Sequence, residues 1–448
     1  METTVTRCTQ ADLIVVGGGL AGLCAAALVA RAGRTVIVLE KAGHLGGRAA
    51  TQVRDGIHWN LGPHALYCHG HAFRLFTELG VPFRGRFPSP GRSLLFAGQV
   101  PYQLPVGIGS LVSSQLLSIR EKCRLARLMT TLTKLDSRQF DGIPLRDWVD
   151  RTAGAGNLAQ VVHALCRLST YSDLPERASA GAVIEQLKLA LAGSVWYLDG
   201  GWQTLVDGLR DQAAKYGAEF RTGAPVRSVD SGDCAVVVHL ASGEDLRGRA
   251  VVLAVEPTRA RDMLELPAES PLARWATDSV PVRAACLDLA LNGLTRPRRR
   301  FALGLDRPYY ASVHSAAATL APPNVAVVHV MKYIGNDTAT PTQAVERELE
   351  RFLDQLQPGW RVHTLQRRFL PTMTVAHGLP LAKSYGLRGR PPVTIRERRN
   401  VFLAGDWVGT EGMLADASAA SALESARLVL AALGRTNAAQ RSPLHVAS

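Results

Sequence analysis

The chain has 448 residues, 47% of them hydrophobic, so at roughly 150 residues per domain it can form two or three domains with sizeable cores. Its formal net charge is +13, but the basic residues are dispersed and no binding motif frames them, so we expect no nucleic-acid partner. Seven cysteines are scattered singly, without the CxxC pairs of a zinc site or a disulfide framework, so we expect no metal. The first residues lack the pattern of a secretory signal, and no apolar run reaches the roughly 20 residues that span a bilayer. These features predict a cytoplasmic protein.

The first predicted elements are a strand, a helix and a second strand over residues 12–40, DLIVVGGGLAGLCAAALVARAGRTVIVLE. Gly17, Gly19 and Gly22 fill a GxGxxG frame between the first strand and the helix. In this frame the first glycine allows a tight turn, the second lets the backbone approach a pyrophosphate, and the third lets the helix pack on the strand. Glu40 ends the second strand, where a carboxylate binds ribose hydroxyls. The unit therefore predicts a Rossmann-like dinucleotide site.

The segment KAGHLGGRAAT follows, and its spacing from Glu40 to Gly46, Gly47 and Arg48 resembles the second signature of the FAD-dependent amine oxidase and phytoene desaturase superfamily. In that superfamily the Gly-Gly backbone passes close to the pyrophosphate and flavin, and the arginine adds positive charge. The resemblance implies that the cofactor is FAD.

The resemblance continues through WNLGPHALY (59–67), residues 197–229, RAVVLAVEP (249–257) and LAGDWVGTEGML (403–414). It implies that a helix starting near Met413 directs its amino end at the pyrimidine edge of the flavin, where the helix dipole stabilises the anionic reduced ring. The residues that it assigns to FAD are Gly17, Gly19, Leu20, Ala21, Gly22, Glu40, Lys41, Gly46, Gly47, Arg48, Leu61, Gly62, Pro63, His64, Val226, Gly405, Asp406, Met413, Leu414 and Ala417.

The positions of these segments predict two interleaved domains in an α/β fold. Residues 1–75, 196–260 and 394–448 are expected to form a Rossmann-like FAD domain. Residues 76–195, mainly helical, and 261–393, rich in strands, are expected to form an α+β substrate domain.

One helix is predicted within residues 110–135, with leucine and methionine at helical spacing and three arginines to one side. Two interpretations stay open: a helix of the substrate domain, or a basic amphipathic surface that rests on membrane lipid. The residues concerned are Leu125, Leu128, Met129, Leu132 and Leu135 on the apolar side, and Arg120, Arg124 and Arg127 on the basic side.

The reaction is inferred from three departures from amine-oxidising relatives. The strand AACLDLALNG (284–293) has no lysine, Met413 stands where those relatives have an aromatic residue, and Ala65 stands near the position of a substrate-binding arginine. The stretch DRPYYASVHSAAATLAPPNVAVVHV (306–330) resembles phytoene desaturases instead. This predicts hydride transfer from a C–H bond of a small apolar substrate to flavin N5.

Two other functions stay open at this point. One is a flavin-dependent amine or amino-acid oxidase. The other is a lipid carrier without catalysis, like the Rab-escort and dissociation-inhibitor proteins, although those have degraded cofactor motifs. The sequence leaves the substrate, the electron acceptor and the oligomeric state undecided.

His64 is the candidate catalytic residue, because a neutral imidazole beside the flavin could accept the second proton of a desaturation. A histidine bonded to the backbone is the competing interpretation. Tyr309 and His314 are candidates for the wall of the substrate cavity, and Trp407 is expected to pack over the cofactor turn.

Overall fold

The structure is a computed structural model that describes residues 10–88, 93–105, 107–232, 235–335 and 340–440. The two ends of the predicted FAD domain, residues 1–9 and 441–448, therefore lie outside the described residues, as do Cys8 and Cys234. Within the described part, no helix is both long and apolar enough to cross a membrane.

The strands are β1 Gln10–Val16, β2 Val36–Leu39, β3 Thr51–Arg54, β4 Ile57–Asn60, β5 Leu66–Tyr67, β6 Gly85–Arg86, β7 Ser93–Ala97, β8 Val100–Gln103, β9 Val195–Leu198, β10 Glu219–Arg221, β11 Val226–Ser231, β12 Val236–Leu240, β13 Asp245–Leu253, β14 Val282–Asn292, β15 Phe301–Gly304, β16 Tyr309–Val313, β17 Val325–Ile334, β18 Thr364–Ala376, β19 Thr394–Ile395 and β20 Arg398–Leu403. The helices are α1 Leu20–Arg31, α2 His71–Glu78, α3 Ile108–Ser113, α4 Ile119–Leu132, α5 Leu145–Ala153, α6 Asn157–Thr170, α7 Ala180–Gly193, α8 Gln203–Lys215, α9 Pro257–Met263, α10 Pro271–Asp278, α11 Thr342–Leu356 and α12 Leu414–Gln440.

The first sheet has the strand order β10-β2-β1-β13-β12-β11, and β20 pairs with the second half of β13. Strands β10, β2, β1, β13 and β20 run parallel, whereas β12 is antiparallel to both β13 and β11. The apolar run of β1 is almost fully buried, as expected for a central parallel strand covered on both faces. Helix α1 packs against α8 and α12. The predicted βαβ unit is therefore β1, α1 and β2.

The second sheet has the order β18-β14-β17-β16-β15-β7-β8. Because side chains alternate along β14, Ala284 and Cys286 join the core shared with helices α4 to α7, and Leu287 and Leu289 face α11. Strands β7 and β8 come from the segment expected to be mainly helical, so that segment is helical only from α3 onward. They lengthen the second sheet beyond the predicted strand-rich part.

The single helix expected within residues 110–135 is two helices, α3 and α4. Helix α4 begins with a capping box in which the Ser118 hydroxyl and the Glu121 carboxylate each accept the other's backbone N–H. Its leucines at 125, 128 and 132 are buried, as the spacing predicts.

The core of the first sheet extends slightly beyond the predicted boundaries. It includes Met263, Leu264 and Leu272 after residue 260, and Val393 before residue 394. The division of the chain into two domains stays a prediction.

Candidate functional site

The glycine loop after β1 has one open surface. A Cβ atom on Gly22 would lie 1.9 Å from the Gly17 oxygen, and one on Gly17, whose φ is +108°, would lie 2.4 Å from the Ala254 oxygen. In contrast, a Cβ on Gly19 would meet only the Gly46 oxygen, at 4.0 Å, and one on Gly47 only the Gly19 Cα, at 3.6 Å. The space above Gly19 and Gly47 is therefore open at the amino end of α1, which fits a pyrophosphate.

Glu40 is fixed beside this loop. One carboxylate oxygen accepts the Gly18 N–H at 2.7 Å and the other accepts the Ala42 N–H at 2.8 Å. The Glu40 carbonyl accepts the Ala224 N–H, which brings the segment that leads to Val226 alongside the acid. The side chain of Val226 itself is buried in the core. Any contact of Val226 with the cofactor would therefore be through its backbone.

Asp406 lies at the centre of a second group of contacts. Its carboxylate accepts a bond from Arg48 at 2.7 Å and from the His377 backbone N–H at 3.1 Å, and the His377 ring is 3.2 Å away. Burial alone would raise the pKa of Asp406, but Arg48 and His377 hold it well below its usual value. The sequence motifs predicted Arg48 and Asp406 separately, whereas His377 was missed. Trp407 is fully buried and stacks on Trp275, as expected for a packing role.

The start of α12 has unusual backbone geometry. Gly412 has a φ of +67° and Leu414 a φ of +56°, which is strained for a residue with a branched side chain. Met413 and Ala417 are buried on either side of Leu414. Arg390 donates to the Gly412 oxygen at 2.9 Å, and its Nε has no hydrogen-bond partner although the side chain is buried. Arg390 was missed because no motif surrounds it.

His64 lies between two backbone carbonyls. Its Nδ1 is 3.1 Å from the Gly62 oxygen and its Nε2 is 3.2 Å from the Arg48 oxygen. Burial lowers the pKa of His64 to about 4, despite hydrogen bonds to both carbonyls that raise it. A neutral ring can donate to only one carbonyl. Both ring nitrogens of His64 thus contact the backbone, as in the interpretation of His64 as a histidine bonded to the backbone. Proton acceptance by His64 stays a prediction.

A buried polar network contacts the segment of residues 59–67 that contains His64, here called the His64 loop. The Asp288 carboxylate is 2.6 Å from His329 Nδ1, accepts from the Cys286 thiol at 3.0 Å, and accepts from Arg368 Nε at 3.1 Å. Arg368 also donates to the Asn60 carbonyl, which ties the network to the loop. Burial opposes ionisation of Asp288, but His329 and Arg368 keep its pKa below the usual value.

The ligand atoms of Cys286, Asp288 and His329 lie within 4.8 Å of one another, a spacing that a metal site could have. Because Arg368 already neutralises Asp288, we interpret the group as a hydrogen-bond network. The network of these three residues and Arg368 was not predicted, because its members lie on three different strands, β14, β17 and β18.

The two cavity candidates, Tyr309 and His314, lie in different surroundings. Tyr309 faces α11, where its hydroxyl donates to Glu348 at 2.9 Å, on the sheet face opposite Cys286. His314 is buried, stacks on Tyr197 with ring centroids 3.8 Å apart, and lies 4.7 Å from the His329 ring. His314 therefore adjoins the buried network, and the structure brings neither candidate onto the surface beside Gly62.

Another tyrosine contacts the segment that contains His64 directly. Tyr171 has a φ of +59°, and its hydroxyl donates to the Pro63 oxygen at 3.4 Å. Its ring centroid is 6.3 Å from that of Tyr333. A bulky side chain held in the left-handed region is a recognised feature of functional sites.

A parallel sheet with an open glycine loop at the amino end of α1, beside an acid that directly follows β2, is the arrangement of a dinucleotide-binding protein. The sequence profile of the flavin-containing amine oxidoreductases matches residues 20–430, so the chain belongs to this family. FAD is accordingly its cofactor, as predicted, and the open space at Gly19 and Gly47 fits it. Lipid carriers of this fold have degraded cofactor motifs, whereas this chain keeps the glycine frame and the open space beside it.

Three proteins are similar to this chain in sequence or in fold. An uncharacterised protein of Mycobacterium tuberculosis is 28% identical over 301 residues, which are 57% of this chain and 56% of that protein. A carotenoid 3,4-desaturase of Haloarcula japonica is 26% identical over 56% of this chain and 57% of that protein. The structure of putrescine oxidase bound to putrescine matches 94% of this chain and 99% of that one, with a TM-score of 0.73 and 16% identity. The two sequence relatives are thus matched over little more than half of their lengths.

Proposed function

We propose that the protein is a desaturase or dehydrogenase that oxidises a carbon–carbon bond of a small apolar substrate. The single observation that supports this most is which side chains β14 presents towards the segment of residues 59–67 that contains His64. On β14, the Cys286 sulfur would lie 3.6 Å from a Cβ atom on Gly62, and the strand contains no lysine. The next polar residue on that face, Asp288, is engaged by Arg368 and His329.

The surrounding side chains suit an apolar substrate. Met373 lies against Gly62, where a Cβ would be 2.6 Å from its methyl group. Further apolar side chains on the same core remain partly exposed, namely Leu165, Leu168, Leu187, Leu370, Val375 and Leu414. Such a surface aligns a hydrocarbon and excludes water.

The reaction removes a hydride from one carbon and a proton from its neighbour, and a double bond forms between them. FAD, when bound, supplies the acceptor for the hydride. His64 is the side chain proposed to take the proton, because burial lowers its pKa to about 4 and so keeps its ring neutral.

The second candidate function is amine oxidation. The aromatic side chain of Tyr171 favours it, because this partly exposed ring, whose hydroxyl contacts the Pro63 oxygen, could stabilise a cationic substrate. Putrescine oxidase, which shares the fold, was solved with an amine bound.

Product analysis separates the two functions. The purified FAD-loaded protein is incubated with isoprenoid polyenes or with primary and secondary amines, and products are identified by mass spectrometry. Desaturation gives a product that has lost a pair of hydrogens and keeps its skeleton. Amine oxidation gives an imine or aldehyde, with release of ammonia or a smaller amine, and that outcome would replace the first proposal.

We also propose that α3 and the start of α4 contact an anionic membrane surface. Ile108, Val112 and Ile119 are 88%, 70% and 75% exposed, which is unusual for large apolar side chains. Arg120 and Arg124 are exposed next to them on α4, as is Arg127 one turn later. Apolar insertion combined with basic attraction is the pattern of peripheral membrane binding.

Sedimentation with liposomes tests this contact. Binding is expected to vesicles that contain phosphatidylserine and to weaken as salt rises, since charges are screened over about 10 Å at 0.1 M. The variant Ile108→Ser/Ile119→Ser should bind less at every salt concentration. Equal sedimentation with neutral and anionic vesicles would contradict the proposed attraction between the arginines of α4 and anionic lipid.

A further inference from the structure

Arg390 is a buried cation that the described contacts do not neutralise. Its side chain is 6% exposed, and the described hydrogen bond of its guanidinium runs from Nη1 to the Gly412 oxygen. The Nε atom has no partner. A buried guanidinium is normally held by a carboxylate or phosphate, because an unpaired charge loses its hydration without compensation.

The nearby acid does not fill this role. Asp406 is close enough to raise the pKa of Arg390, but burial dominates and lowers that pKa to about 10. The carboxylate oxygens of Asp406 are already taken by Arg48 and by the His377 ring and backbone. Arg390 therefore lacks an anion in the protein alone.

Arg390 lies beside Met413 and Leu414, which the sequence resemblance assigns to the cofactor. Its bond to Gly412 places it at the amino end of α12, a helix of 27 residues whose dipole adds positive charge there. Leu414 holds a strained left-handed conformation at the same point. The guanidinium of Arg390 and the positive end of the α12 dipole therefore lie together. The described hydrogen bonds of Arg390 include none to a negative group.

We propose that Arg390 is a cofactor-binding residue whose guanidinium contacts an anionic group of bound FAD. The anion has two possible sources in the cofactor: the pyrophosphate, which is always charged, and the pyrimidine end of the flavin, which gains negative charge on reduction. Both are matched by the planar donors of an arginine. The proposal rests on FAD as the cofactor and is independent of which substrate is oxidised.

Arg390→Met removes the charge and keeps most of the side-chain volume. Arg396→Met is the matched control, since Arg396 is exposed in the turn between β19 and β20 and its replacement changes the net charge equally. Three quantities are measured for each: the Kd of FAD for the apoprotein, the reduction potential of the bound flavin, and the affinity for sulfite, which adds to flavins near positive charge.

If the anion is the pyrophosphate, Arg390→Met should raise the Kd of FAD about ten- to a hundredfold, the effect of losing a hydrogen bond to a charged group. If it is the pyrimidine end, the Kd of oxidised FAD should stay near that of wild type while the reduction potential and sulfite affinity fall. Either result supports the proposal, and Arg390→Lys should give a smaller change of the same kind.

The melting temperature of the apoprotein separates binding from a structural role. Because Arg390→Met removes an uncompensated charge, the apoprotein should melt at or above the wild-type temperature, and FAD should raise that temperature less than in wild type. Wild-type values of all three quantities would overturn the proposal. Failure of Arg390→Met to fold while Arg390→Lys folds would also overturn it, since the charge would then be structural.

Discussion

The same substitution at two glycines of the GxGxxG frame, Gly19 and Gly22, is expected to have different effects. Alanine at Gly22 places a methyl group 1.9 Å from the Gly17 oxygen and 3.1 Å from Val15, in a fully packed helix start. Alanine at Gly19 meets only the Gly46 oxygen at 4.0 Å, and its φ of −80° suits any residue. We therefore predict that Gly22 is required by the fold and Gly19 by the ligand.

The magnitudes follow from these distances. Gly22→Ala overpacks against backbone that cannot rotate away, which costs about 3 kcal/mol or more of unfolding free energy. Gly19→Ala should change apoprotein stability by only about 1 kcal/mol, the difference between glycine and alanine at a helix N-cap. Its methyl group should nevertheless block backbone contact with the pyrophosphate and raise the Kd of FAD about ten- to a hundredfold. Gly19→Val should abolish binding.

Two assays on the same samples test this reasoning. Urea unfolding of the apoprotein gives the free energy of unfolding, and titration with FAD, followed by flavin fluorescence, gives the Kd. A Gly19→Ala apoprotein that unfolds as readily as Gly22→Ala would refute the assignment of Gly19 to the ligand. So would a Gly19→Ala variant that folds and binds FAD with wild-type affinity.

The buried network should behave as a charge pair: Arg368→Met should lower the free energy of unfolding in urea by about 3 to 5 kcal/mol, and adding Asp288→Leu should restore most of it. His64→Ala should slow anaerobic flavin reduction by roughly a hundredfold or more, yet leave the FAD content unchanged, if His64 accepts the proton. Because the pKa of His64 is lowered to about 4 from an unfolded value near 6.5, its stabilising contribution is complete above about pH 6.5 and is lost as pH falls through about 4. His64→Asn should accordingly lose this part of the acid-side fall in melting temperature.

The FAD sheet and its glycine loop could be predicted because their signals are local. The strand, the glycine spacing and Glu40 lie within residues 12–40, and each residue type has one geometric requirement. The break between α3 and α4 was also visible in the sequence, since Ser118 and Glu121 form a capping-box pattern that the leucine spacing obscured.

The polar network could not be predicted because it depends on strand register. Asp288 lies opposite both His329 and Arg368, and nothing in the sequence fixes this pairing of β14 with β17 and β18. The same alternation of side chains explains Tyr309, which points to α11 while Tyr310 points to the opposite face. Arg390 could not be predicted either, because its distinguishing feature is a buried Nε without a hydrogen-bond partner, which no sequence motif indicates.

Anaerobic mixing tests the central claim of carbon–carbon oxidation most directly. The FAD-loaded protein is mixed without oxygen with isoprenoid polyenes, amines and amino acids, and the blue absorbance of the flavin is followed. Hydride transfer from an apolar carbon predicts that an isoprenoid substrate bleaches the flavin and that amines do not. Rapid bleaching by any primary or secondary amine, with none by the isoprenoids, would contradict the claim and establish amine oxidation in its place.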